Sequence, residues 1–382
     1  MLAPTGTGKG VSFVIPNLLN WKNSAIVHDI KLENYELTSG YRKNELKQKI
    51  FVWNPMAKDG LTNCYNPLDW ISKDKDVMVG DIQIILKFLL PEDDCLQSET
   101  RVFLTGIILY LITETKNATF SKILRILREN NLSDKLKDML NSSKLHTVAR
   151  INISLFLQKS EKEKTDIILN ALKALELWSD PLVDNATSKS DFNISTFTKE
   201  TQTLYVGVEA KDMKKLEPLF RIFYQQCVNI ISSLETNSQS NRTSILMILD
   251  EFTTLGKMDS LVNMLPYTRG YKLKLCIIAQ NIDQLSYKYE KEEINQILSN
   301  TNKIVFGNNG NTAQLISSII GDKIIIDKNG SKSVEPLILV QETADLDRKE
   351  ELILTTELKT IKCNKFFYYK DPVFEKRLVG KI

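Results

Sequence analysis

Histidine is nearly absent from this chain. Among 382 residues only His28 and His146 occur, too little material for a histidine metal site or a Ser-His-Asp triad. Cysteine is sparse as well: Cys64, Cys95, Cys227, Cys276 and Cys363 lie far apart, with no paired spacing. Such a set fits buried, reduced thiols and excludes a disulfide framework or a zinc site. Long apolar runs are missing too. The longest, residues 103–112, is interrupted by Thr105 and Gly106 and falls far short of the roughly 18 residues that span a bilayer. Met1 and Leu2 run straight into a Gly-rich loop without a signal peptide, so a cytosolic chain is expected. Nor does one sign of charge dominate, since 50 Lys and Arg against 47 Asp and Glu leave a net +3. That excludes a histone-like binder, although a local basic lining of a pore stays open. At 42% hydrophobic and 25% charged residues, the composition is that of a soluble globular protein with one large or two ordinary domains.

The informative first stretch is Ala3-Pro-Thr-Gly-Thr-Gly-Lys-Gly10, followed by an amphipathic run over 11–19 and a short apolar run over 24–29. Loop, helix and buried strand make half of a βαβ unit. A further strand is expected at 50–53, before a turn-rich stretch at 63–67. From about 76 to 186 the pattern turns helical, with periodic segments at 77–90, 99–115, 120–130, 133–140 and a long one at 144–177. Strand candidates then return at 203–208, 244–249, 273–279 and 303–306, separated by helices at about 214–234, 258–267, 282–300 and 311–320. This alternation predicts an α/β fold with a mostly parallel sheet covered on both faces. The last fifty residues hold short strand-like runs, such as 365–370, that this pattern does not place.

Residues 3–9 have P-loop spacing, with Ala3 where the first Gly usually stands. Thr5, Gly6, Thr7, Gly8, Lys9 and Gly10 are the candidate phosphate cradle. Small residues let backbone N–H groups close around phosphate oxygens, the helix start adds its positive end, and Lys9 adds a point charge. The bland alternative is a Gly-rich turn before a helix; Gly-Lys in register and a following strand favour the cradle. Gly10 occupies the place of the usual Mg²⁺-binding Ser or Thr. Ser12 sits about 200° around the helix from it and is a poor substitute. The metal is therefore expected on phosphate oxygens, water and a distant carboxylate. A P-loop also hangs from a buried strand, and only two residues precede this one. The expectation is that the central strand lies upstream of Met1 in a longer protein, or that the gene is truncated.

The run 244–249 ends in Asp250-Glu251, as a Walker B strand does. Asp250 would hold Mg²⁺ through water and Glu251 would polarise the attacking water as general base. A strand capped by solvated acids is the plain alternative. Paired acids also favour an ATP-hydrolysing motor over a kinase or small GTPase. Lys9 and Asp250 are 241 positions apart, too many for a minimal core, so an insertion is expected. The domains read as 1–75 (nucleotide-binding, first part), 76–186 (inserted, all-helical) and 187–382 (nucleotide-binding, second part). Gln280, at the tip of the strand beside Walker B, could touch the γ-phosphate. Arg269, on the preceding loop, could reach a nucleotide in a neighbouring subunit. By spacing alone a helix-capping amide and a solvated surface arginine are the favoured readings of these two.

The loop, Val14-Ile-Pro-Asn-Leu-Leu19 with Trp21, Val27-His-Asp29-Ile-Lys31-Leu-Glu33, Asn66-Pro-Leu-Asp69, and Leu249-Asp-Glu-Phe252 with Leu255-Gly256 together resemble the type IV secretion coupling proteins (TraG/TraD-like). The resemblance covers nearly the whole chain. It implies a RecA-like P-loop ATPase using ATP and Mg²⁺, with an inserted all-α domain that recognises substrate. It also implies a homo-hexamer at the cytoplasmic face of the bacterial plasma membrane, anchored by N-terminal helices absent from this sequence. Its expected partners are single-stranded DNA with bound relaxase and the components of the secretion channel. On this resemblance Arg269 matches the arginine finger and Gln280 the sensor glutamine, while Leu32 stands where the family often has Gly. An FtsK-like double-stranded DNA translocase shares the core but usually carries a winged-helix tail, which is not found here. A non-hydrolysing substrate-docking remnant is the rival from outside the motor class.

Overall fold

A strand covered on both faces needs apolar residues at every position rather than every second one. Residues Ser24–Ile30 form β1, buried at every position but the last, with an apolar centre of Ala25, Ile26 and Val27 and with Ser24, His28 and Asp29 buried as well. The computed structural model describes residues 1–234, 243–326, 328, 332–355 and 357–378. In it β1 is the middle strand of a five-stranded, all-parallel sheet ordered β2-β3-β1-β4-β5. The other strands are β2 (Lys49–Trp53), β3 (Gln202–Val208), β4 (Ile245–Leu249) and β5 (Leu273–Ile277). Ala25 pairs with Thr203 on one side and Leu246 on the other. That register brings Asp29, Asp250 and the residues after Ile277 to one C-terminal edge, where ligands of parallel sheets bind. The helix after the loop starts as a π-wound turn, Gly10–Val14, and continues as α1 (Ile15–Asn20). Val14 and Leu18 from this helix pack on Ala25, Val27, Tyr205 and Ile248. On the same face lies Tyr35 of α2 (Glu33–Asn44), 5.4 Å from Tyr205 and edge-on.

Arg42 of α2 is fully buried and ties the P-loop helix to the sheet. Its guanidinium donates to the carbonyls of Leu18, Trp21 and Asn23, and its Nε donates to Thr203 Oγ1 at 2.8 Å. Leu18 and Trp21 lie at the C-terminal end of α1, where carbonyls lack helical partners and a cation is favourable. Arg42→Ala is therefore expected to lower unfolding free energy by about 3–5 kcal/mol. The measurement is the urea midpoint at constant m-value; a loss below about 1 kcal/mol would show that these carbonyls find other donors.

The chain folds as two units, one of Met1–Val52, Ile194–Ala210 and Val228–Ile382, the other of Trp53–Asn193 and Lys211–Cys227. The second unit holds α3 (Met78–Leu89), α4 (Cys95–Glu114), α5 (Phe120–Leu127), α6 (Leu132–Leu140), α7 (Thr147–Leu157), α8 (Glu161–Ala174) and α9 (Pro181–Ala186). It also holds most of α10 (Met213–Ser233). The periodic segment 144–177 is broken between α7 and α8. Ser160 and Glu163 form a capping box there, which satisfies the donors of a new helix start. By length and composition α4 is the one described helix that could cross a membrane, longer than the run 103–112 because it starts at Cys95. Half of its apolar window is buried. Phe103 stacks on Phe156 at 3.9 Å, and a Cβ on Gly106 would come within 3.1 Å of Ile153, so α4 and α7 cross closely. The Asn66–Asp69 run holds its own turn together. Asn66 is fully buried and donates to the Ala118 carbonyl at 2.8 Å and to Asp69 at 2.9 Å.

The remainder of the first unit carries α11 (Asp259–Met264), α12 (Ile282–Ser286), α13 (Lys291–Ser299), β6 (Lys303–Val305), α14 (Gly310–Ile320), β7 (Asp322–Ile326), β8 (Lys332–Pro336), α15 (Val340–Ala344), β9 (Glu350–Leu354), β10 (Ile361–Asn364) and α16 (Pro372–Glu375). The expected helix 282–300 is two helices, the second opened by a Glu290/Glu293 capping box. β10, β9 and β6 form an antiparallel sheet and β7 pairs with β8. Leu2 makes parallel bridges to both Ala279 and Val305. Its amide donates to the Ile304 carbonyl, and its own carbonyl accepts from Phe306. Leu2 thus stands between β5 and β6, directly ahead of the P-loop. Below it these two strands line a cavity of about 520 Å³, walled by Leu275, Ile277, Ile304 and the Thr268-Arg269 turn.

Candidate functional site

The loop closes on itself through the Thr7 hydroxyl, which donates to the Pro4 carbonyl at 2.6 Å. Gly6 and Gly8 have φ of 77° and 89°, a region where other residues are strained. Ser12 donates its hydroxyl back to the Gly8 carbonyl at 2.8 Å, so that oxygen is turned into the helix and away from the loop mouth. Lys9 reaches across to the end of β4. Its ammonium lies 2.8 Å from Asp250 Oδ1 and also contacts Glu251 Oε1. All three side chains are less than one-fifth exposed.

Burial works against the charge on Lys9, but Asp250 and Glu251 outweigh it and hold the lysine pKa above its usual value. Burial raises the pKa of Asp250, with Lys9 opposing the shift. Glu251 adopts left-handed backbone, φ 52°, an unusual conformation for a residue with a side chain. Its second carboxylate oxygen accepts from Gln280 Nε2 at 3.1 Å. The amide that caps α12 is Asn281, which accepts from Gln284 N at 2.9 Å, so the Gln280 side chain is left for Glu251. Asn308 donates to the Gln280 carbonyl at 2.7 Å and steadies that tip. Asp29 ends β1 on the same edge. Burial pushes its pKa up to about 7 against three donors from Asn34 and Tyr35. Leu32, just after it, has φ 59°, the conformation in which Gly is cheapest.

The family described as type IV secretory system conjugative DNA transfer matches residues 1–381. The chain belongs to this family. It is similar to the conjugal transfer protein TraG of Escherichia coli, 30% identical over 74% of this chain and 48% of the relative. It is also similar to VirD4 of Rhizobium rhizogenes, 28% identical over 98% of this chain and 59% of the relative. The chain therefore spans about half the length of the curated relatives it matches. A solved structure of the plasmid coupling protein TrwB, in complex with a non-hydrolysable ATP analogue, aligns with a TM-score of 0.71 at 18% identity, covering 96% of this chain and 84% of that one. TrwB in complex with ADP and Mg²⁺ gives the same score. At this identity the likeness establishes the RecA-like fold.

In this member of the family the structure brings Thr5 to Gly10, Asp250, Glu251 and Gln280 to one edge. Arg269 is not among them. It is exposed in the turn ahead of β5, whereas Gln280 follows that strand. The strand path from 273 to 279 puts about 20 Å between the two ends. Among the described residues no cluster of three or more His, Cys, Asp or Glu could hold a metal ion. A lone Asp250 fits a metal carried mainly by phosphate oxygens and water. Asn308 and Lys365 escape a reading of the sequence. Neither lies in a motif, and each meets the loop region only through the packing of β6 and β10.

Proposed function

We propose that this chain is the ATP-hydrolysing part of a conjugative coupling protein, one that recruits relaxase-bound single-stranded DNA and drives it into a type IV secretion channel. The observation that carries this reading is the meeting of Lys9 with Asp250 and Glu251, with Gln280 on the latter. Phosphate oxygens compete with the two acids for Lys9, which frees Glu251 to accept a proton from an attacking water. Gln280 holds the carboxylate in place, and the loop N–H groups receive the β- and γ-phosphates. Asp250, with phosphate oxygens and water, would hold Mg²⁺, which neutralises phosphate charge when bound. A net charge of +3 leaves DNA affinity to local Lys and Arg. Stimulation of hydrolysis by single-stranded DNA should therefore fade steeply with salt. A chain that neither hydrolyses ATP nor responds to DNA would sink the motor reading.

Arg269 lies too far along β5 to reach the Lys9 site of its own chain, which suits a finger acting on a neighbour in a ring. Arg269→Ala and Lys9→Ala proteins, each inactive alone, should regain part of the activity when mixed. Mixed assemblies contain sites in which an intact Lys9 faces an intact Arg269. No recovery, with co-assembly verified separately, would rule out action in trans.

A further inference from the structure

β6 and β10 both run antiparallel to β9, so they run parallel to each other and end at the same edge as the phosphate loop. Lys365 follows directly on β10. Its amide donates to the Lys349 carbonyl at 2.6 Å, which fixes where the side chain starts. The residue is 6% exposed. Its ammonium sits 3.7 Å from the ring centroid of Phe306, the residue after β6, and donates to the Thr7 carbonyl at 3.1 Å. Phe367 follows it to the loop, lying 3.8 Å from where a Cβ on Gly8 would be.

Burying an ammonium is unfavourable, and one carbonyl with one ring face offsets only part of that. Burial accordingly lowers the Lys365 pKa, with Glu351 and Asp347 acting in the opposite sense. For packing alone, an apolar side chain of similar length would serve as well or better. What the ammonium adds is a hold on one particular peptide. In a phosphate loop the N–H groups must face inward and the carbonyls outward. The Thr7 carbonyl and the Gly8 N–H belong to the same peptide, and Gly8 on one side of it, with φ 89°, lacks the side chain that would restrict its rotation. A carbonyl gripped from outside keeps its partner N–H pointing in.

We infer that Lys365 is a positioning residue of the nucleotide site, holding the Thr7–Gly8 peptide in its phosphate-binding orientation. This rests on the nucleotide reading above. The test compares Lys365→Met and Lys365→Arg with the wild type and with Lys9→Ala. Titrations use ATP and ADP with Mg²⁺, alongside steady-state hydrolysis and thermal unfolding. Lys365→Met should weaken both nucleotides and raise KM by about tenfold, the scale of one charge-assisted hydrogen bond. Its kcat should fall much less, and its melting temperature should not fall. Lys365→Arg, which keeps a charged donor, should recover most of the affinity. Wild-type affinity in Lys365→Met, beside a clear loss in Lys9→Ala, overturns the inference and leaves the site intact. A loss that tracks a lowered melting temperature and is not rescued by Arg overturns it as well. If the wild type binds no nucleotide, the underlying reading falls and takes this inference with it.

Discussion

Glu251→Gln is expected to keep ATP affinity within a few-fold of wild type while turnover falls roughly 10²–10⁴-fold, the usual contribution of a positioned general base. The carboxylate has two partners, Lys9 on one oxygen and Gln280 on the other. An amide has the same shape but a single oxygen, so it can accept from only one of them. Lys9 retains Asp250 in either case, which is why binding should survive the change. Single-turnover hydrolysis measured beside equilibrium ATP titration separates the two effects. Normal turnover would remove Glu251 from the chemistry and leave the pair of acids a structural cap.

Lys9→Ala should act on the other step and weaken ATP binding by roughly 10²-fold or more, since it deletes the loop's one charged contact to the β- and γ-phosphates. The loss has a second source in this site. With Lys9 gone, Asp250 and Glu251 lose the ammonium that both contact, and their charge opposes the incoming phosphates more strongly. Titration with ATP and Mg²⁺ reads the change directly. Unchanged affinity would end the phosphate-loop assignment.

The parts of this site legible in the sequence are those set by local chemistry. Gly6, Gly8 and Lys9 announce a phosphate loop because a positive-φ turn and a point charge are demanded at fixed spacing. Asp250-Glu251 is legible because a fully apolar strand ends there. Gln280 could be placed at a strand tip, but only the fold, in which Asn281 caps α12, tells it from a capping amide. The break between α7 and α8 is also local, written in Ser160 and Glu163, yet the apolar period runs on through it and conceals it. Lys365 is different in kind. Its role depends on β10 lying two strands from β6 and on Phe306 offering its face, and both are set by the pairing of β6 with β9, segments about fifty residues apart. Nothing in the neighbourhood of residue 365 encodes that pairing.

Leu2 has a mechanical consequence. The five-stranded and three-stranded sheets of the first unit meet through the backbone of residues 1–3, with bonds to Ala279 on one side and to Ile304 and Phe306 on the other. A displacement of β5 against β6 therefore acts on the backbone at the root of the phosphate loop. Lys365 belongs to the three-stranded side of that tie, and Asp250 and Glu251 to the five-stranded side, where β4 holds them.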